Sequence, residues 1–134
     1  MVVRADVMLE WANGTYLFAL KGREIEMLES ECVNPETGGK GIGLGSIWMR
    51  VMGSSWYRSD VTNIIRLGLM GGGLGAVEAT RLVSFYADNV PISSMKIDFG
   101  NPNCPLAVAR AVLSAAVVGI EADQDAGEPP TPES

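Results

Sequence analysis

Five glycines fall within eight residues, Gly68, Gly71, Gly72, Gly73 and Gly75, in a stretch GLMGGGLG that separates two segments of helical periodicity. Glycine is a poor helix-interior residue because it gives up the most backbone freedom on ordering. A run of this density therefore fixes where one helix stops and the next starts. Before it, Val61, Ile64, Ile65, Gly68 and Leu69 recur at i, i+3, i+4, i+7 and i+8, with Thr62, Asn63 and Arg66 on the other face. Ser59 or Asp60 is the expected N-cap. After it, from near Leu74, Ala76, Ala79, Leu82, Val83 and Tyr86 form a second stripe, with Glu78, Arg81 and Asp88 polar and an end before Pro91. The chain must accommodate a helix, a tight corner and a second helix.

Glycine-rich turns also cradle phosphates. Gly71-Gly72-Gly73-Leu74-Gly75-Ala76 fits G-x-G-x-x-A, a variant of the dinucleotide fingerprint. That motif works only where a strand feeds the turn and a helix N-terminus meets the pyrophosphate, and here an amphipathic helix comes first. A P-loop is excluded because Leu74 and Gly75 follow Gly73 where Lys and Ser/Thr are needed. In the second cluster, GGKGIGLGS, Lys40 follows Gly39, but Gly41 stands where Ser or Thr belongs and Asn34 where the first Gly belongs. The corner is read as a helix C-cap with a tight turn, and the second cluster as a loop.

Upstream, residues 4–21 alternate as a hairpin: Val7, Leu9 and Trp11 on one face of the first strand, Tyr16, Phe18 and Leu20 on one face of the second. Asn13-Gly14 predicts a type I′ turn. GREIEMLESEC, residues 22–32, predicts a helix with Ile25, Leu28 and Cys32 inward. Its Glu24, Glu26, Glu29 and Glu31 read as a solvated face rather than a metal or acid–base site. Residues 33–45 are a loop, 46–52 a short helix, and Trp56 and Tyr57 either staple the following helix or face a partner. Residues 91–104 are irregular, with an extended piece at MKIDF. Pro105 opens an Ala- and Val-rich helix running to about residue 122, apolar on nearly every side. Such a helix is either central in the fold or used in self-association.

The fold class is α+β, mainly α: an N-terminal β-hairpin followed by four or five helices. One domain is expected over residues 1–121, with a disordered acidic, Pro-rich tail over 122–134. The formal charge is −6, but the five acids from Glu121 onward leave ten basic and eleven acidic groups over residues 1–120. With no basic stripe, nucleic acid is not an expected partner.

The chain has no histidine, which removes Ser-His-Asp and Cys-His catalysis and imidazole metal sites. Cys32 and Cys104 alone cannot hold zinc, and a disulfide between them is disfavoured. No enzymatic activity, cofactor or metal is expected. The opening MVVRADVM has no apolar signal region, and the longest apolar run, 105–120, is interrupted by Arg110. No membrane span is expected, and the expected location is the cytoplasm.

The stretch YRSDVTNIIRLGLMGGGLGAVEATRLVSFYAD resembles the small tail-assembly proteins of gene transfer agents and related tailed phages. These are known as gene transfer agent family proteins, phage tail assembly chaperones or, in older labels, tail tube proteins. The shared pattern is a capped helix, here from Asp60, ending in Gly68, Leu69, Met70, Gly71, Gly72 and Gly73. A second helix with Glu78 and Ala79, then Leu82 and Val83, follows. The hairpin, the Leu28-Glu29 helix and an Ala-rich last helix, Leu106 to Gly119, match in order and character, so the resemblance spans roughly residues 4–120. The loops 33–45 and 91–104 are longer than the family pattern.

The resemblance implies a non-enzymatic chaperone of tail assembly in a bacterial host. It would bind the tape measure protein, help recruit tail tube protein subunits, and be absent from the finished particle. The alternative is a structural component retained in the particle, a tube or tail-completion subunit. A homo-oligomer stays open. The suggested partner surface is Trp56 and Tyr57.

Overall fold

The computed structural model describes residues 3–96 and 104–121. A two-residue strand β1 (Val3–Arg4) leads into an antiparallel hairpin of β2 (Asp6–Trp11) and β3 (Gly14–Ala19). The alternation works as the sequence predicts. Trp11, Phe18 and Leu20 are buried, Val7, Leu9 and Tyr16 pack against the core, and Met8 points outward.

The turn differs from the expected one. Trp11 pairs with Gly14, so the loop residues are Ala12 and Asn13, and the positive φ falls on Ala12 at 57°. An Asn13-Gly14 loop would pair Ala12 with Thr15 and shift β3 along β2. The position of β3 is set instead by its contact with the glycine corner, described below.

Six helices follow among the described residues, one more than the upper expectation: α1 (Gly22–Glu31), α2 (Leu44–Met52), α3 (Arg58–Gly71), α4 (Ala76–Val83), α5 (Ile92–Lys96) and α6 (Pro105–Val117). The addition is α5, which occupies the start of the expected extended piece at Met95–Phe99. Pro91 opens it, its carbonyl accepts the N–H groups of Ser94 and Met95, and the Met95 side chain is fully buried. The rest of that piece lies outside the described residues, as does the expected disordered tail over 122–134.

The centre of the fold is α3. It packs against α1, α4, α6 and β3, and buries Val61, Ile64, Ile65, Leu67 and Leu69. Each fully buried side chain of this size contributes about 1.5–3 kcal/mol. Because α3 has neighbours on most sides, its expected polar face is not free: Thr62 is buried and Arg66 binds Glu31 at 2.5 Å.

Helix α4 does not continue regularly toward Pro91. It passes at Ser84–Asp88 into a π-helical turn, which buries Ala87 and leaves Phe85 outside. Arg58 secures this turn by donating from Nη2 to the carbonyls of Asp88 and Val90, both at 2.5 Å.

Helix α6 starts at Pro105, as the proline predicts, and lies against α3, β2, α2 and α5. It stops at Val117 rather than near 122. The N–H groups of Val118 and Gly119 both donate to the Ser114 carbonyl, at 2.8 and 3.0 Å, and Gly119 takes a φ of 96°. The chain then leaves as β4 (Ile120–Glu121), antiparallel to β1.

Candidate functional site

The glycine corner is both a helix stop and a seat for the hairpin. The N–H of Leu74 donates to the Leu69 carbonyl and that of Gly73 to the Met70 carbonyl, each at 3.0 Å, with Gly73 at a φ of 110°. This is the paired hydrogen bonding of a Schellman motif, and it satisfies carbonyls that the helix end would otherwise orphan. Gly75 is the N-cap of α4.

The other glycines answer to packing. A methyl carbon at Gly72 would stand 1.9 Å from the Leu17 carbonyl oxygen, and one at Gly68 would meet Val112 at 3.0 Å and Phe18 at 3.3 Å. Gly71 is placed in the same way against Ala19, with the Glu24 carboxylate beside it. The last turn of α3 thus rests directly on the β3 backbone. Hairpin carbonyls stand against Gly71 and Gly72, and the corner is fed by a helix, not by the strand that the dinucleotide fingerprint requires.

Asp60 is not the N-cap. Tyr57 holds that position, and Asp60 sits three residues into α3, where its Oδ2 accepts the Tyr57 N–H at 2.8 Å. The same carboxylate takes a bidentate ion pair from Arg50 of α2, Nε at 2.8 Å and Nη2 at 2.7 Å. Both side chains are buried, and the guanidinium lies 4.8 Å from the centre of the Tyr57 ring. Among the described residues Arg50 Nη1 is the one buried side-chain nitrogen or oxygen without a hydrogen-bond partner.

Three of the four acids on α1 are structural rather than solvated. Glu24 is buried and accepts the Lys21 N–H at 3.2 Å, Glu29 accepts the Leu44 N–H at 2.8 Å, and Glu31 pairs with Arg66. Glu26 alone is exposed.

Cys32 and Cys104 are free and buried. Burial first, and the nearby Asp60 charge next, push the Cys32 thiol up to about 12. A thiol held protonated this firmly is no nucleophile at neutral pH. No three of the acidic or thiol side chains among the described residues come together as a metal site. No helix among them is long and apolar enough to cross a membrane.

Exposed apolar side chains are spread over the described fold: Met8 on the hairpin, Met49 on α2, Val77 and Phe85 on α4 and its π turn, Ile92 on α5, and Val117 and Val118 at the end of α6. On α2 the charged residue is turned inward: Ile47, Arg50 and Val51 are buried, while Met49 is 71% exposed, with Trp48 and Met52 half-buried beside it. The outer face of α2 carries no charge. Near it, Trp56 is half-buried against the core and Tyr57 is 38% exposed. On α4 and its π turn, Val77 is 84% and Phe85 66% exposed. With Ala76, Thr80, Arg81 and Ser84 they line an open groove of about 660 Å³. Arg81 pairs with Glu78 at the surface, Nε to Oε1 at 3.0 Å, and Ala79 faces the core. The stripe of Ala79, Leu82, Val83 and Tyr86 already leaves Val77 and Phe85 outside, whereas nothing local to α2 marks Arg50 as the buried residue.

A family model described as "Phage tail tube protein, GTA-gp10" matches residues 4–119. No curated protein and no solved structure matches the chain significantly.

Proposed function

The chain belongs to this phage tail tube protein family of gene transfer agents, and from that membership we propose that it is a non-enzymatic structural component of the tail, retained in the assembled particle. The observation that carries this reading is the extent of the match. It takes in the hairpin, the glycine corner and α6, so nearly all of the described fold belongs to the family rather than one shared motif. Its partners are then other tail proteins, and it is made in the host cytoplasm. Mass spectrometry of purified particles from a producing strain tests the reading. Presence at a fixed stoichiometry to the other tail proteins is expected, and absence from intact particles overturns it.

A second reading is favoured by a specific observation. Helices dominate, and the sheets among the described residues have two strands each, too few to form a barrel or sandwich wall. A mainly helical protein with exposed apolar side chains such as Met49, Val77 and Phe85 suits a tail assembly chaperone that binds the tape measure protein and helps recruit tail tube subunits. Co-expression with the tape measure protein distinguishes it: a chaperone raises that protein's solubility and co-purifies with it.

A further inference from the structure

We propose that Asn13 is the site at which this chain deamidates, and that the closed hairpin turn holds the reaction back until the turn opens. This holds whether or not the chain is a tail component.

The sequence singles out Asn13. Of the six asparagines, Asn34 and Asn101 precede proline, which has no N–H, while Asn63, Asn89 and Asn103 precede Ile, Val and Cys, whose side chains crowd the following nitrogen. Asn13 alone precedes glycine. There the Gly14 nitrogen, on losing its proton to a solvent base, attacks Asn13 Cγ. The new N–C bond closes a succinimide ring, and Nδ2 leaves as ammonia. Water then opens the ring at one of its two carbonyls. The sum is asparagine plus water to aspartate or isoaspartate plus ammonia, with no other reactant.

The fold opposes this attack at three points. The Leu17 and Ala19 carbonyls face Gly72 and Gly71, away from β2. Hydrogen-bonded and non-hydrogen-bonded pairs alternate along an antiparallel ladder. The pairs that exchange bonds are therefore Phe18 with Val7, Tyr16 with Leu9 and Gly14 with Trp11. The Gly14 nitrogen is thus engaged as the first rung. Next, Ala12 has a positive φ and Asn13 does not, which makes the loop type II′. Closing the ring requires the Asn13 Cα–C bond to rotate out of that turn. Finally, the Tyr16 hydroxyl donates to Asn13 Oδ1 and pins the side-chain amide.

All three restraints belong to the turn and vanish together when it opens. Asn13 is exposed, so water and base already reach it. Isoaspartate carries the main chain through Cβ and Cγ, one atom longer than before. A two-residue loop cannot absorb that atom and keep the Trp11–Gly14 rung. A turn that has opened and reacted in this way does not close again in register.

The test is peptide mapping by mass spectrometry of the full chain aged at mildly alkaline pH, with and without urea, scoring the mass gain of deamidation in the peptide that carries residue 13. In urea, residue 13 is expected to convert before any other asparagine. In the folded protein its conversion is expected to be at least about tenfold slower, because reaction is confined to the time the turn spends open. Ala12→Gly relieves the positive φ and firms the turn. It is expected to slow conversion in the folded protein and leave the rate in urea unchanged. Gly14→Ala has room for its methyl, which meets the Tyr16 ring at 3.8 Å, and is expected to suppress conversion in urea. Equal rates with and without urea overturn the control by the turn. Earlier conversion at another asparagine in urea overturns the assignment to Asn13.

Discussion

Gly71 lies directly against the carbonyl of Ala19: a methyl carbon at Gly71 would stand 1.8 Å from that oxygen. The obstacle is backbone on both sides, so no side chain can swing away to relieve it. Gly71→Ala is therefore expected to force α3 and the hairpin apart and to destabilise the fold by about 2–4 kcal/mol. Gly75→Ala, where nothing lies within 4 Å of the added methyl, is expected to cost about 1 kcal/mol or less. Urea denaturation of the two variants checks the contrast, and equal losses would remove the close approach as the reason for Gly71.

The Arg50–Asp60 pair is buried and bidentate, so removing one partner strands the other charge. Asp60→Ala is expected to destabilise by about 3–5 kcal/mol. The double substitution Arg50→Met with Asp60→Leu is expected to recover most of that loss, because neither charge is left behind. A double variant no more stable than Asp60→Ala would show that the pair does more than neutralise itself.

Cys32 makes stability depend on alkaline pH. Its thiol ionises near 9.0 when unfolded and at about 12 when folded, so the folded state holds its proton more tightly. The contribution is fully present below pH 9 and is lost as pH rises toward 12, by up to about 1.4 kcal/mol per pH unit. Denaturation midpoints measured from pH 8 to 11 should fall less steeply for Cys32→Ala than for the wild type. Parallel slopes would exclude Cys32 as the source.

Ala12 holds a positive φ in the hairpin loop, where a Cβ is strained by roughly 1–2 kcal/mol. Ala12→Gly removes the strain and gives back part of the gain as extra freedom in the unfolded chain. A net stabilisation of about 0.5–1 kcal/mol is expected, read as a shift of the urea midpoint at unchanged slope. A loss of stability would place the strain elsewhere.

What could be read in advance was whatever local pattern dictates. The alternation of Val7, Leu9 and Trp11 set the hairpin's faces, and the stripe from Val61 to Leu69 set the inward side of α3. What could not be read depends on residues far apart in the chain. Nothing near Gly71 or Gly72 says that β3 carbonyls will press on them. Glu24, Glu29 and Glu31 look like a solvated face until α3 and the start of α2 arrive to use them. Arg50 looks outward-facing until Asp60 is placed beside it. The uncharged outer face of α2 was hidden for the same reason, since it depends on that inward arginine.

The pairing of β1 with β4 brings the first and last described strands together, Val3 beside Glu121. In terms of connectivity the fold is almost a closed circle. A circularly permuted chain, with Val3 and Glu121 bridged by a short linker and new ends opened in the exposed loop at 35–40, would keep α1 to α6 in their cyclic order and cut no helix. The order of synthesis would change while the packing did not. Such a permutant would move the point where a label or fused domain leaves the molecule from the β1–β4 pair to the loop between α1 and α2.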